Sequence, residues 1–176
     1  TFHAFGGRRA FHGPISTVRC FEDNSRVKEA VESPGEGRVL VVDGGGSRRR
    51  ALLGDKLGLA AVSNGWAGVI IHGCIRDSAE LGRMDLGIRA LGTMPLRSDK
   101  RGEGDRDVPV RFAGVTFRPG EFVYVDEDGI IVAATALAAD DEPPLSQEAE
   151  ARAAADAAAP TLPIEASPGQ VLNIRF

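Results

Sequence analysis

Two stretches of the chain are almost continuously apolar and β-branched, and each is bounded by glycine. Arg38–Asp43 (RVLVVD) runs into Gly44-Gly45-Gly46, and Gly68–Gly73 (GVIIHG) follows a turn signal at Asn64-Gly65. Runs of this length and composition predict central strands buried on both faces. Between them, Asp55–Asn64 carries Leu57, Leu59, Ala60 and Ala61 at helical spacing, opened by Gly54 and closed by Asn64-Gly65. That pattern predicts a helix, and with the two strands a βαβ unit. An earlier helix is expected from Asn24 to about Val31, capped by Asp23 or Asn24, and a short one from Ser78 to about Leu86.

The second half changes character. Val108–Phe112, Glu121–Val125 and Ile130–Val132 read as short strands separated by the turn sequences Arg118-Pro119-Gly120 and Asp126-Glu127-Asp128-Gly129. Parallel βαβ elements followed by hairpins predict a mixed sheet in a single α/β domain. From Ala138 the residues become mainly Ala, Asp, Glu and Pro. Ser146 could cap an Ala-rich helix ending before Pro160, but no apolar stripe supports it, so this stretch reads as a linker or surface extension. Val171–Phe176 turns apolar again and is expected to dock on the body or on a neighbouring subunit, unless it simply frays. The division is a body, 1–137, and an acidic extension, 138–176.

Charge sharpens that division. The 176 residues hold 21 Lys and Arg against 25 Asp and Glu, a formal −4. The body carries 19 basic and 18 acidic residues, the extension 2 and 7. This balance argues against nucleic acid as the main partner. No run reaches the roughly 18 apolar residues of a membrane span, and no signal peptide is visible, so a cytoplasmic location is the default expectation. The first residue is Thr1, and the stretch could be trimmed, so a lost targeting peptide stays open. Cys20 and Cys74 sit in apolar settings without CxxC spacing, which gives no disulfide scaffold or zinc ribbon.

The candidate chemistry lies at the ends of the βαβ elements. Arg76 and Asp77 follow the second buried strand, and Gly54-Asp55-Lys56-Leu57 opens the helix before it. Ligands of open α/β sheets gather at such carboxyl edges. A helix N-terminus with glycine at its mouth offers free amides to a small carboxylate, so residues 54–57 are a candidate anion site. Arg76 could pair with the same anion. Asp77 is a hard oxygen ligand suited to Mg²⁺ or Mn²⁺ with waters and a chelating substrate, and Glu80 could orient a metal-bound water. The bland alternative is a helix cap with a solvated cation and a surface glutamate.

Other features weigh less. Asp43-Gly44-Gly45-Gly46-Ser47 departs from GxGxxG, so tight turn geometry explains it better than a dinucleotide or S-adenosylmethionine site. Lys56 beside Asp55 is a poor Schiff-base candidate. His72 in an apolar strand reads as a hydrogen-bonded core or interface histidine, and Trp66 as a core cover. Arg48-Arg49-Arg50 is a solvated cluster by default.

Taken together, Phe5-Gly6-Gly7, Pro14–Asn24, Val39–Ser47, GDKL at 54–57, Asn64-Gly65-Trp66, Gly-Cys-Ile-Arg-Asp at 73–77, Lys100–Gly104 and Asp128–Ile131 resemble the RraA family, which includes the 4-hydroxy-4-methyl-2-oxoglutarate aldolases. The similarity covers residues 2 to about 137. The family's usual helical segment before Phe-Gly-Gly has no counterpart here, nor has the tail a counterpart in the family. The resemblance implies a swivelling β/β/α domain, assembled as a homotrimer or hexamer with sites near subunit interfaces. It implies a metal-dependent lyase that releases pyruvate from a small 2-keto acid substrate and decarboxylates oxaloacetate. The roles it implies are substrate binding by Gly54, Asp55, Lys56, Leu57 and Arg76, and a divalent cation on Asp77. The Arg-Asp pair with Glu80 favours this catalytic branch. The other branch is a non-catalytic regulator that binds and inhibits an endoribonuclease.

Overall fold

Both apolar runs pair side by side at the centre of one sheet. The computed structural model describes residues 1–138 and the backbone of a final strand, Leu172–Arg175. The parallel centre comprises β2 (Phe11–Arg19), β3 (Val39–Asp43), β4 (Ala51–Leu53), β5 (Gly68–Ile75) and β6 (Gly87–Thr93). Antiparallel strands extend it. β1 (His3–Ala4) pairs with β6, and β7 (Asp105–Arg106) and β10 (Phe122–Val125) pair with β2. β11 (Gly129–Ala133) pairs with β10, and β12 (Leu172–Arg175) with β11. The order is β1-β6-β5-β3-β2-β10-β11-β12, with β4 on β5 and β7 on β2.

Alternate residues of the central strands face two separate cores. Leu40, Val42, Val69 and Ile71 point to the side covered by α1 (Ser25–Val31), α2 (Asp55–Ser63) and α3 (Ser78–Leu81). Val39, Val41 and Ile70 point to the other side, where the hairpin β8 (Val110–Phe112) and β9 (Val115–Phe117) brings Phe112 and Phe117 against Phe11 and Phe2. The result is a helix layer, a mixed sheet and a second β layer. Helix α1 buries Val27, Ala30 and Val31, one stripe at i, i+3, i+4. Each buried valine is worth about 1.5–3 kcal/mol over exposure.

Several boundaries differ from expectation. β2 is the longest strand, although Gly13 and Pro14 interrupt its sequence. The amide of Ile15 donates to the carbonyl of Glu121 (2.7 Å), and Pro14 faces Phe122. Pro14 therefore occupies a ladder position that needs no N–H. α3 stops at Leu81 rather than 86, because Gly82 follows and the amides of Arg83 and Met84 bond three residues back. Asn24 precedes α1 without a side-chain cap; the Oδ1 of Asp23 instead accepts from the Ser25 amide at 2.8 Å. The suggested helix after Ser146 lies outside the described residues. Both cysteines are buried free thiols, and burial pushes Cys20 up to about 12, which leaves it inert as a nucleophile. Among the described residues, no helix is long and apolar enough to cross a membrane.

Candidate functional site

The site begins with strand register. Leu53 ends β4 directly opposite Ile75 at the end of β5, and the Arg76 amide donates to the Leu53 carbonyl at 2.9 Å. Two parallel strands that end together deliver Gly54 and Arg76 side by side. Asp77 then takes a left-handed conformation (φ 56°, ψ 42°), costly for a residue with a Cβ but tolerated by aspartate. Its Oδ2 accepts from the Asp55 amide at 3.1 Å and stands 3.4 Å from Arg76 Nε. A carboxylate thus sits at the N-terminus of α2, as the free amides there invite. It belongs to Asp77 itself.

This refines the expected anion site at 54–57. The Asp55 amide is taken by Asp77, and the Lys56 amide by Asp55 Oδ1 (2.7 Å). The Leu57 amide makes no hydrogen bond among the described residues. The Asp77 side chain is 33% exposed and that of Arg76 38%, so both remain reachable from solvent.

A cleft of about 300 Å³ opens on this arrangement. Its lining includes Lys28, Lys56, Arg76, Arg97 and Lys100 against only Glu32 and Asp55. Lys28 is paired with Glu32 at 3.3 Å, which leaves the wall a surplus of cations. Such a lining draws a small polyanion. Loop 96–102 forms the far wall and is stitched at both ends. The Ser98 hydroxyl donates to the Ala51 carbonyl (2.7 Å), and the Arg101 amide to Asp23 Oδ2 (2.6 Å).

Asp23 is fully buried. Burial alone would raise its carboxyl, but hydrogen bonds from Ser25 and the Arg101 amide outweigh it and hold the group below the usual carboxylate range. A depressed folded-state pKa gives stability that is complete above the unfolded value and lost as pH falls through the folded one. Wild type should therefore lose thermal stability more steeply than Asp23→Asn below about pH 4, as a pH series of melting curves would read.

Asn24 is a member of the site that sequence reading placed only as a cap. Its Nδ2 donates to the Leu52 carbonyl (3.3 Å), and the residue lines the cleft. Its Oδ1 is buried and has no partner among the described residues. Buried acceptors are nearly always satisfied, so this one points to a donor from outside the described residues. The sequence marked it only as a residue before a helix and as the end of the Pro14–Asn24 segment.

Glu80 is exposed in the first turn of α3 and, like Asp77, is not among the cleft's lining residues. His72 Nδ1 is 3.3 Å from Asp43 Oδ1 and its ring stacks on Phe112 (4.8 Å), in keeping with a hydrogen-bonded packing role. A second cleft, near residues 1–9 and 126–130, contains buried Arg89. The Arg89 guanidinium is committed to the carbonyls of Ile88, Arg9 and Asp126.

Comparison with known proteins places the fold. The model of the RraA-like family, described as Aldolase/RraA, matches residues 1–132. A protein of Alkalilimnicola ehrlichii, provisionally named a 4-hydroxy-4-methyl-2-oxoglutarate aldolase, is 61% identical over 136 residues, 77% of this chain and 84% of the relative. A Laribacter hongkongensis protein of the same provisional name is 61% identical over 130 residues, 74% and 82% of the two chains. Among solved structures, the RNA-processing inhibitor RraA from Thermus thermophilis superposes with a TM-score of 0.78 at 45% identity, covering 80% of this chain and 85% of that one. A Geobacillus kaustophilus structure described as an S-adenosylmethionine:2-dimethylmenaquinone methyltransferase gives 0.78 at 56% identity, with 80% and 88% covered. With the two-sided sheet, the paired strand ends and the match over three-quarters of its length, the chain belongs to the RraA-like family.

Proposed function

We propose that this protein is a divalent-metal-dependent aldolase of the pyruvate-releasing type, acting on 4-hydroxy-4-methyl-2-oxoglutarate and related 2-keto acids and decarboxylating oxaloacetate. The observation that carries the reading is the Asp77 carboxylate, held by the Asp55 amide and Arg76, two residues that line a cation-rich cleft which Asp77 itself adjoins rather than lines. The provisional names of the relatives favour the same class.

The residues suit a lightly ligated cation. Among the described residues no three His, Cys, Asp or Glu side chains converge, so an all-protein cage is not available. Asp77 alone fits the pattern of Mg²⁺ or Mn²⁺, which keep several positions for water and a chelating substrate. When bound, the cation would supply Lewis-acid polarisation of the 2-keto oxygen. Arg76 would bind the substrate carboxylate and stabilise the oxyanion that grows as the C3–C4 bond breaks. The Leu57 amide is a further donor at the helix mouth, and Arg97 and Lys100 would hold the distal carboxylate. Asn24 Oδ1 would accept a hydrogen bond from a substrate hydroxyl. Removal of the C4 hydroxyl proton needs a base, a role that Asp55, which lines the cleft, or Glu80, three residues beyond Asp77, would fill. Assembly as a trimer or hexamer is part of the proposal.

Pyruvate release from oxaloacetate and from 4-hydroxy-4-methyl-2-oxoglutarate, with Mg²⁺ or Mn²⁺ and with a chelator, tests the reading. At least a tenfold drop on chelation is expected. Equal rates in both, or none above a metal-only blank, would sink it.

The second reading, a non-catalytic regulator of an endoribonuclease, is favoured by the likeness to the Thermus RNA-processing inhibitor. It predicts capture of such a nuclease that survives Asp77→Ala.

A further inference from the structure

The family match ends at residue 132, inside β11, yet the sheet does not. β12 pairs antiparallel with β11, with Leu172 opposite Val132, Asn173 opposite Ile131, Ile174 opposite Ile130 and Arg175 opposite Gly129. Directly opposed residues share a face of the sheet. Val132 and Ile130 are buried in the core on the β8–β9 side. The tail's two apolar residues therefore fall on the core face, and Asn173 and Arg175 on the other. A slip of one residue would reverse that, so the Leu-Asn-Ile-Arg pattern specifies the observed register.

An uncovered β11 would present a row of unpaired backbone groups, which invites pairing with other chains. The end of β11 and the start of β12 are adjacent, a gap that a hairpin of two to five residues spans. Here residues 134–171 intervene. Loop-closure entropy grows only slowly with length, so a long connection adds little to the cost of returning the strand to its edge.

We propose that the outer edge of β11 is a strand-accepting surface whose occupant is this chain's own C-terminal segment, docked within the same chain and able to leave. It accepts an extended peptide with apolar residues at the two positions opposite Ile130 and Val132. The tail is its built-in competitor against other extended segments.

Hydrogen exchange on the full chain tests this. In the variant Leu172→Asp/Ile174→Asp, the amides of Ile130 and Val132, which face β12, should exchange at least tenfold faster than in wild type while those of Ile131 and Ala133, which face β10, keep their protection. A synthetic peptide of residues 170–176 at millimolar concentration should restore the lost protection. Asn173→Asp, on the outer face, should behave as wild type. Should the double aspartate variant lose its circular dichroism signature, Leu172→Ser/Ile174→Ser gives the same reading with less disturbance. Equal exchange in wild type and a folded double variant would overturn the proposal. So would wild-type protection that rises with protein concentration together with mass by light scattering, since the strand would then come from a second copy. Neither outcome touches the cleft, and the aldolase reading stands or falls separately.

Discussion

Asp77→Ala is expected to lower metal-dependent pyruvate release by at least about a hundredfold, the scale on which single electrostatic contacts to a reacting oxygen act. Saturating substrate should not rescue it, because the loss falls on the reacting state rather than on uniform binding. The structural cost should be small but real. The Asp55 amide loses its acceptor, and an alanine is left at φ 56°, a conformation that costs of order 1–3 kcal/mol in a residue without aspartate's tolerance. Asp77→Asn separates the two effects. Asparagine accepts the left-handed backbone and keeps an oxygen for the Asp55 amide, but brings no charge to a cation. Its melting temperature should match wild type while its activity falls with that of the alanine variant. Activity in Asp77→Asn close to wild type would show that the carboxylate charge is not what the reaction needs.

How much of this was legible beforehand depends on where information is stored along the chain. β3 and β5 were readable because burial on both sheet faces demands unbroken apolar runs; α2 was readable from its bounds at Gly54 and Asn64-Gly65, although it buries Gly58 and Ala61 and leaves Leu59 exposed. β2 and β6 were not, for tertiary reasons. Pro14 is harmless only because of its register with Phe122, and Arg89 is tolerated inside a sheet only because three carbonyls from separate segments converge on it. No local pattern encodes such compensation. Arg76, Asp77 and Gly54 were legible as a site, since strand ends and helix starts are where chain chemistry gathers. Asn24 was invisible because its significance is a missing partner, which only coordinates reveal. Glu80, three residues after Asp77, sits in the first turn of the four-residue α3 and is exposed.

Gly54 was singled out for the amides it exposes, but the structure gives a stronger reason for a glycine there. Its backbone (φ −136°, ψ −170°) is ordinary extended chain, open to any residue. What a side chain lacks is room. A Cβ at position 54 would lie 2.6 Å from Asp77 Oδ2 and 3.0 Å from Arg76 Nε. Both are movable ends of side chains rather than backbone, so Gly54→Ala should fold, with the obstruction relieved by displacing the two groups the site depends on. A misplacement of about 1 Å can cost on the order of a hundredfold in rate, and kcat/KM should fall between about tenfold and a hundredfold. Stability should move little, since alanine in an allowed conformation restricts the unfolded chain by about 0.4–1 kcal/mol and offsets part of the strain. Unchanged melting with a lost rate identifies Gly54 as space reserved for the Arg76–Asp77 pair. Unchanged kinetics would mean that the pair tolerates displacement and that the reacting centre lies elsewhere in the cleft.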